Sequence, residues 1–361
     1  MEIGIIGLPL SGKTTIFNAL TRSNGQSISQ VPQSNIAVVK VPDSRLDILT
    51  KMFNPKKTVH AEVKYFDVPG VPGSQSLVID NDYLANLQKA TALLLVIRGF
   101  EDPSVPLIES TVDPFRDLST MELELIFSDM AFLEKRLGRL KDGLKGAKHQ
   151  EKEAIMKEQE ILAKIRLGLE NETPIRDQVI SDQDKTILSS YPFLTSKPQL
   201  IAINIGEESL GDTKKIEGTL DARSNLSNSL GITICGKLEA ELAQINEDEE
   251  LEFRQSIGAG KSSMSRMLEL SYNALGMVSF FTVGEDEVRA WSILDNTTAL
   301  KASGKIHSDI ERGFIRAQII HYDDLIQAGN IAEARKKGTL RTEGKSYLMK
   351  DGDIVEFLFN I

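Results

Sequence analysis

A glycine-rich segment near the start of the chain has the residue types that bind nucleotide phosphates. "GLPLSGKTT" follows the apolar run "MEIGII" and fits the pattern GxxxxGK[ST] with Gly7, Gly12, Lys13 and Thr14. Its glycines let backbone N–H groups turn toward a β-phosphate, and Lys13 can neutralise the β- and γ-phosphates. The Thr14 hydroxyl can ligate Mg²⁺. We therefore expect a bound nucleotide; a glycine-rich turn without a ligand is the alternative.

A second candidate motif, DxxG, follows an apolar strand in "YFDVPG". Asp67 would hold Mg²⁺ through a water molecule, and the Gly70 N–H would contact the γ-phosphate. An aspartate before Pro-Gly is also ordinary turn chemistry, which is the alternative. Val71 stands where a signalling GTPase carries the glutamine that orients water, and valine cannot hydrogen-bond water. We predict slow hydrolysis with Lys13, Asp67 and Gly70 as catalytic residues, and Thr14 and Asp67 as metal ligands.

The residues that read the base are expected in "LIAINIGEES", where a buried strand ends. A GTPase carries NKxD there, and this chain has Asn204, Ile205 and Glu207 instead. The longer glutamate shifts the carboxylate by roughly 1.5 Å, and an unpaired buried group costs about 1–3 kcal/mol, so adenine should be preferred over guanine. In the alternative, Asn204 caps the following turn and Glu207 is solvated. The loop in "CGKLEAEL", from Cys235 to Lys237, is also expected near the base.

The elements that must position these motifs change character along the chain. Up to about Thr120, apolar runs such as "EIGIIG" and "TALLLVIRG" alternate with helical patterns, which indicates a doubly wound α/β domain. A heptad pattern from Leu123 to Leu144 and a second helical pattern then predict an antiparallel helical hairpin. Strand signals return in "PQLIAIN" and "GITICG", so the hairpin is interpreted as an insertion. From about Gly276, short β-rich runs predict a small α+β domain.

Composition and charge limit the class of protein. With 361 residues and 41% hydrophobic content, the chain can fill two or three cores. No window approaches 18 uninterrupted apolar residues and no signal-peptide pattern is present, so we expect a cytoplasmic protein without a membrane partner. The single cysteine, Cys235, suits a reducing compartment, and the four histidines are scattered. The net charge of −10 argues against indiscriminate nucleic-acid binding, so no DNA partner is expected and any RNA contact must be local.

Eight segments spread along nearly the whole chain match one family pattern. They are "GLPLSGKTTIFNALT", "VPDSRLDIL", "YLANLQKATALLLVIRGFEDP", "VDPFRDLSTMELELIFSDMAFLEKR", "KLEAELAQINEDEE", "SFFTVGEDEVRAWSI", "ASGKIHSDIERGFIRAQIIHYDDLI" and "DGDIVEFLFN". They carry a resemblance to the YchF-type Obg-like ATPases, which are translation-factor-class P-loop NTPases. It implies an α/β P-loop NTPase G domain with an inserted helical hairpin and a C-terminal β-grasp (TGS) α+β domain. The expected ranges are 1–120 and 197–275 for the two parts of the G domain, 121–196 for the hairpin and 276–361 for the TGS domain.

The resemblance also implies a preference for ATP over GTP and association with ribosomes. Carried over by position, the residues expected to bind the phosphates are Leu10, Ser11, Gly12, Lys13, Thr14 and Thr15. Asn204 and Ile205 would contact the adenine, with Glu207 close to them. Phe100, in "IRGFED", matches a position that lines the nucleotide pocket in relatives; an ordinary core aromatic is the alternative.

Three departures from the family pattern bear on hydrolysis. Relatives usually have asparagine at the position of Leu10, a residue associated with activation by monovalent cations, and leucine cannot coordinate an ion. The switch segment is shortened to "QSISQVPQSN", where Ser27 and Ser29 are the candidates for the missing magnesium-shell threonine. The loop after DxxG has become "VPGSQSLVIDND". We expect a divergent member with altered hydrolytic machinery, and the leucine argues against potassium stimulation.

Basic residues of the TGS-like stretch could form a face for rRNA phosphates. The candidates are Lys305, Arg312, Arg316 and the "RKK" cluster at 335–337; a mixed, solvated surface is the alternative, because acidic residues slightly outnumber basic ones there. Our hypothesis is a monomeric, Mg²⁺-dependent ATPase with slow intrinsic hydrolysis that couples its nucleotide state to binding of the ribosome or rRNA. The alternatives are a nucleotide-gated binding module with little hydrolysis, and a GTPase.

Overall fold

The structure is a computed structural model of the chain. It describes residues 2–22, 29–31, 34–67, 81–107, 110–146, 148–224, 229–257, 260 and 262–360. The chain divides into two compact units, Met1–Val38 with Lys64–Met264, and Val39–Val63 with Ser265–Ile361. The domain boundaries expected from the sequence remain predictions.

The strands and helices of the described residues follow in chain order. The strands are β1 Glu2–Ile6, β2 Ser29–Val31, β3 Ser34–Lys40, β4 Lys57–Val59, β5 Glu62–Asp67, β6 Ala92–Gly99, β7 Gln199–Ile205, β8 Ser229–Ile234, β9 Met277–Thr282, β10 Glu287–Leu294, β11 Phe314–His321, β12 Arg341–Glu343 and β13 Asp353–Phe359. The helices are α1 Lys13–Arg22, α2 Ser44–Phe53, α3 Asn81–Lys89, α4 Pro114–Gly143, α5 His149–Glu170, α6 Asp182–Leu188, α7 Thr213–Ser224, α8 Gly236–Leu242, α9 Glu247–Ser256, α10 Ser263–Ala274, α11 Ala299–Ile306, α12 Ser308–Arg312, α13 Tyr322–Ala328 and α14 Ile331–Lys337. Among these described helices, none is long and apolar enough to cross a membrane.

The first unit is built on a sheet with the strand order β2-β3-β5-β1-β6-β7-β8. From β5 through β8 the neighbouring strands pair in parallel. β6 and β7 are buried along almost their whole length, as their apolar sequences predicted. The loops that follow parallel strands meet at one edge of the sheet, which is where ligands bind in folds of this kind. The predicted α/β fold is confirmed.

The predicted helical hairpin is formed by α4 and α5. Its apolar core contains Ile126, Leu133, Leu140, Ile161, Leu162, Ile165 and Leu169. Gly143, at the end of α4, lies beside Ile155, near the start of α5. Arg136 and Glu158 form an ion pair of 2.6 Å between the two helices. The heptad positions in the sequence therefore correspond to the apolar side chains along which these two antiparallel helices pack.

A buried carboxylate fixes the segment through which the chain returns from the hairpin to the sheet. Asp129 of α4 accepts hydrogen bonds from the N–H groups of Leu194 (2.8 Å) and Thr195 (2.7 Å), and from the Thr195 hydroxyl (2.6 Å). Burial raises the pKa of Asp129 to about 6, although these hydrogen bonds and Lys197 act to lower it. Asp129 thus holds the chain just before β7 against α4.

The second unit is built on a sheet with the strand order β12-β11-β13-β9-β10-β4. β13 pairs in parallel with β9, whereas β9 with β10 and β11 with β13 are antiparallel. Aromatic and aliphatic side chains, among them Phe280, Phe314, Ile319, Val355 and Phe357, fill its core. This arrangement, with α11 packed on the sheet, is the predicted β-grasp.

Residues 39–63 contribute α2 and β4 to this second unit. The physical reason is strand pairing, because β4 extends the sheet in parallel beside β10. Arg45 of α2 strengthens the attachment by donating hydrogen bonds to Asp43 (2.9 Å) and to Asp351 (2.7 Å). Its guanidinium also lies 5.2 Å from the centre of the Phe281 ring.

Candidate nucleotide-binding site

The glycine-rich loop lies between β1 and α1, at the sheet edge where parallel strands end. Gly12 has φ = 90°, and Leu10 has φ = 63°. A Cβ added to Gly12 would overlap Asn204 Nδ2, and one added to Gly7 would overlap Val96 O. The loop therefore needs both glycines for close approach of its backbone to its neighbours. Leu10 adopts a left-handed conformation that is unfavourable for a branched side chain.

Lys13 folds back over this loop. Its Nζ donates hydrogen bonds to the carbonyl oxygens of Gly7 at 2.6 Å and Leu8 at 3.1 Å. Burial lowers the pKa of Lys13, and the carboxylate of Asp67 acts in the opposite direction. The ammonium group is thus held at the loop by carbonyl contacts that phosphate oxygens can replace.

The predicted metal ligands, Thr14 and Asp67, lie next to each other. Thr14 Oγ1 donates a hydrogen bond to Asp67 Oδ2 at 3.2 Å, although Thr14 is in α1 and Asp67 ends β5. Asp67 is only 6% exposed, and its Oδ1 has no hydrogen-bond partner among the described residues. Burial raises the pKa of Asp67, while Lys13 and the Thr14 hydroxyl lower it. A buried carboxylate with one free oxygen beside a hydroxyl fits a hard cation such as Mg²⁺.

Some predicted site residues are not described by the structure. Gly70, Val71 and Ser27 lie outside the described residues, so their roles remain predictions. Ser29 lies in β2.

Within the phosphate loop, Ser11 is buried, and its hydroxyl has no hydrogen-bond partner among the described residues.

A cavity of about 450 Å³ opens beside the phosphate loop. Its lining includes the predicted residues Gly12, Thr15, Phe100, Asn204, Ile205 and Glu207. Residues that were not predicted also line it, namely Glu101, Asp102, Val105, Gly206, Glu208, Ala240, Glu241 and Gln244. Cys235 and Lys237, from the loop expected near the base, complete the lining. The volume falls within the roughly 300–1,000 Å³ of small-ligand pockets.

Asn204 joins two loops at the floor of this cavity. Its Nδ2 donates a hydrogen bond to Ser11 O at 3.0 Å, and its Oδ1 accepts one from Gly236 N at 2.9 Å. An amide nitrogen carries two N–H groups, so the bond to Ser11 leaves a second donor. The side chain thus supports the phosphate loop and keeps one donor for a ligand.

Glu207 and Lys237 face each other at the cavity. The Lys237 Nζ lies 3.5 Å from Glu207 Oε1, and the two side chains are 73% and 54% exposed. An ion pair this exposed contributes at most about 1 kcal/mol, so a ligand can separate it. Burial raises the pKa of the neighbouring Cys235 thiol, and the carboxylate of Glu207 adds to the rise. The thiol therefore stays neutral and takes part as a packing group.

Arg98 shapes the wall that carries Phe100 and was not among the predicted residues. It is buried and donates hydrogen bonds to the carbonyl oxygens of Phe100 (3.2 Å), Val105 (3.0 Å) and Pro106 (2.8 Å). Its guanidinium also lies 4.7 Å from the centre of the Phe100 ring. One feature of the sequence could have identified Arg98, namely that it is the single charged residue in the apolar strand "ALLLVIRG". A guanidinium buried in such a strand needs hydrogen-bond acceptors close by.

A buried ion pair anchors α8, the helix that begins at Gly236. Glu239 accepts hydrogen bonds from both terminal nitrogens of Arg254, at 3.1 and 2.6 Å, and from Ser263 N at 3.0 Å. Arg254 also donates to Glu250 at 2.7 Å. This network fixes the helix whose first residues line the cavity, and no motif in the sequence pointed to it.

These features define the class of the protein. A glycine-rich loop between the first strand and helix of a doubly wound sheet, with a lysine and a threonine–aspartate pair, is the site of a P-loop NTPase domain. Residues 2–126 match a family model described as "50S ribosome-binding GTPase". Residues 277–360 match a second model, named YchF-GTPase_C and described as a protein of unknown function.

The chain belongs to the YchF family. It is 36% identical over 368 residues to "Ribosome-binding ATPase YchF" of Bacillus subtilis, covering 100% of both chains. It is 34% identical to the protein of the same name in Haemophilus ducreyi, covering 100% of this chain and 99% of the relative. The solved structure of the Schizosaccharomyces pombe YchF GTPase superimposes with a TM-score of 0.89 at 32% identity, covering 99% of this chain and 97% of that one. The family and fold predicted from the sequence are confirmed.

Proposed function

We propose that this protein is a Mg²⁺-dependent ATPase that couples its nucleotide state to binding of the ribosome. The observation that carries the proposal is the contact between Thr14 and Asp67 beside Lys13, because it gathers a hydroxyl, a carboxylate and an ammonium at one phosphate loop. The relatives are named ribosome-binding ATPases, which supports ATP as the nucleotide and the ribosome as the partner. The cytoplasm and a monomeric state belong to the same proposal.

Each residue of the loop has a distinct task in this proposal. Backbone N–H groups of the loop bind the phosphate oxygens, and the Lys13 ammonium exchanges its bonds to Gly7 O and Leu8 O for the β- and γ-phosphates. Thr14 and Asp67 hold Mg²⁺, which neutralises charge on the two terminal phosphates when it is bound. The Gly70 N–H contacts the γ-phosphate. Val71 cannot orient water, so intrinsic turnover is slow.

Preference for adenine is supported by the groups around the base cavity. Guanine recognition needs a carboxylate that accepts hydrogen bonds from both N1–H and the N2 amine. Glu207 lines the cavity but is longer than the aspartate that performs this task in GTPases, so its carboxylate is displaced by roughly 1.5 Å from the position that pairs with guanine. Asn204 offers its second N–H to a purine nitrogen, while Ile205 and Phe100 provide apolar contacts with the ring.

A face of the second unit is proposed to meet the ribosome. Several of its basic residues already pair with carboxylates, since Lys301 lies 2.9 Å from Glu311 and Lys336 lies 2.7 Å from Glu333. These pairs are exposed and therefore weak, so rRNA phosphates can compete for the cations. Binding should accordingly weaken as the salt concentration rises.

Two assays on one pair of proteins test the proposal. Wild type and Lys13→Ala are compared for ATP hydrolysis and for co-sedimentation with ribosomes in the presence of ADP or a non-hydrolysable ATP analogue. We expect slow hydrolysis that Lys13→Ala abolishes, and a ribosome-bound fraction that differs between the two nucleotides only for wild type. Equal hydrolysis rates would favour the nucleotide-gated binding module, and bound fractions independent of nucleotide would contradict the coupling.

A further inference from the structure

A second cavity, of about 410 Å³, lies in the first unit at the opposite end of the strands from the phosphate loop. Ile201 and Ser229 line it near the amino ends of β7 and β8, whereas the nucleotide loops follow the carboxyl ends. The remaining walls come from the start of α4, the segment after α5 and the end of α7. They are formed by Leu118, Ser119, Glu122, Leu123, Ile126, Glu172, Thr173, Pro174, Asp177, Leu220 and Arg223.

The charged groups of this cavity are mostly negative. Glu122, Glu172 and Asp177 line it together with the single cation Arg223. Behind them, Arg176 is only 5% exposed and divides its charge between Glu122, at 3.4 Å, and Asp177, at 3.7 Å. Glu172 adds a third carboxylate to the lining, and Arg176 is not part of it.

Arg223 does little to neutralise this charge, because its side chain is turned to Phe115. Its guanidinium donates a hydrogen bond to Phe115 O at 3.2 Å and lies 5.1 Å from the centre of the Phe115 ring. The residue is also exposed, so solvent weakens its field at the carboxylates. The cavity keeps an excess of negative charge.

Glu122 is a partly buried carboxylate in the lining of this cavity. Burial raises its pKa. Asp177 adds to the rise, while Arg176, the Gln199 amide and Arg223 lower it. Gln199 is 1% exposed and is not part of the lining, so its amide acts on Glu122 from behind the cavity. A partly buried carboxylate of this kind favours a ligand that brings a positive charge and an N–H donor.

The chemistry of the cavity excludes two classes of ligand. A phosphate or a second nucleotide would face three carboxylates at short range. A bare divalent metal ion is disfavoured, because the described residues contain no group of three His, Cys, Asp or Glu side chains placed to hold one. What remains is a cation that does not need a compact ligand shell and that can use the apolar surface of Leu118, Ile126 and Leu220.

We propose that this cavity binds a small organic cation, an alkylammonium whose charged group pairs with Glu122 and Asp177 and whose carbon chain lies against the apolar floor. Glu172, at the exposed rim, receives a second ammonium group when the ligand is a diamine. The site is independent of the phosphate loop, so its failure would leave the proposed ATPase function untouched.

Calorimetric titration of the full chain with 1,6-diaminohexane, in a buffer without other amines, tests this site. We expect saturable binding of one diamine, weakened at least tenfold in Glu122→Gln and severalfold in Glu172→Gln. Glu134→Gln, which changes an exposed carboxylate elsewhere on α4, is the matched control and should bind like wild type. Because Glu172 is exposed, its variant keeps the test valid even if Glu122→Gln folds poorly.

Neutral and anionic analogues complete the test. We expect 1,6-hexanediol and adipate to bind more weakly than the diamine, since neither places a positive charge at Glu122. Absence of diamine binding, equal affinity for the diol, tighter binding of adipate, or affinities unchanged in both Glu122→Gln and Glu172→Gln would overturn the proposal.

Discussion

Asn204 Nδ2 donates a hydrogen bond to Ser11 O at 3.0 Å, which joins the end of β7 to a phosphate loop 193 residues earlier in the chain. Through its Oδ1 the same side chain accepts a hydrogen bond from Gly236 N at 2.9 Å. One buried amide therefore sets the distance between the loop that would bind phosphates and the loop that lines the base cavity.

Replacing this amide should loosen both loops. Asn204→Ala leaves Ser11 O and Gly236 N without their partner, and each buried unpaired group costs about 1–3 kcal/mol. We expect the free energy of unfolding to fall by about 2–6 kcal/mol and nucleotide affinity to fall at least tenfold. Denaturant unfolding and calorimetric titration measure the two effects. Asn171→Ala, an exposed asparagine, is the control; equal behaviour of the two variants would contradict the role of Asn204.

The contact between Thr14 and Asp67 should appear as a dependence on Mg²⁺. In Thr14→Ala and in Asp67→Asn, one metal ligand is lost or weakened, so Mg²⁺ should no longer increase ATP affinity as it does in wild type. Affinity measured with Mg²⁺ and with a chelator gives this ratio. Thr14→Ser keeps the hydroxyl and should preserve it. A ratio unchanged in Thr14→Ala would show that this pair does not hold the metal.

The buried pair of Glu239 and Arg254 should show strong coupling in a double-mutant cycle. Arg254→Met leaves Glu239 charged and buried without its cation, which costs about 3–5 kcal/mol of unfolding free energy. The double variant Glu239→Gln/Arg254→Met removes both charges and should cost less than the sum of the single changes. Urea unfolding of the four proteins measures the cycle. Additive costs would mean that the two residues stabilise α8 separately.

Stability should depend on pH through Asp129. Its pKa in the folded protein, about 6, lies above the ordinary 3.8, so the folded state holds this proton more tightly. The resulting stabilisation is complete below pH 3.8 and is lost as pH rises through 6; it amounts to at most about 3 kcal/mol. Asp129→Asn cannot titrate, so the wild-type advantage in unfolding free energy should shrink between pH 4 and pH 7. An advantage that grows over this range would contradict the assignment.

The fold and the phosphate loop could be predicted from the sequence because both depend on local patterns. Apolar runs such as β6 and the heptad positions of α4 indicate which side chains are buried. Gly12 and Lys13 belong to one contiguous motif. Arg98 and the pair of Glu239 and Arg254 were missed, since their partners are backbone carbonyls or side chains brought close only by tertiary structure. The same reason explains why α2 and β4 contribute to the second unit, because pairing of β4 with β10 is a long-range contact.

The cavity expected to bind the base could be predicted from the sequence only in part. Asn204 and Glu207 were found from their position in a motif, but the hydrogen bonds of Asn204 to Ser11 and Gly236 and the pairing of Glu207 with Lys237 required the structure. The contacts of Asn204 sharpen the prediction for the base, since they show that its amide holds two backbone groups and has one N–H left for a ligand.

Calorimetric titration of the wild-type protein with non-hydrolysable ATP and GTP analogues, in the presence of Mg²⁺, is the decisive measurement for the proposed ATP site. We expect one site, tighter binding of the ATP analogue, and loss of that binding in Lys13→Ala. Equal or tighter binding of the GTP analogue would contradict the base assignment, and undiminished binding by Lys13→Ala would contradict the site itself.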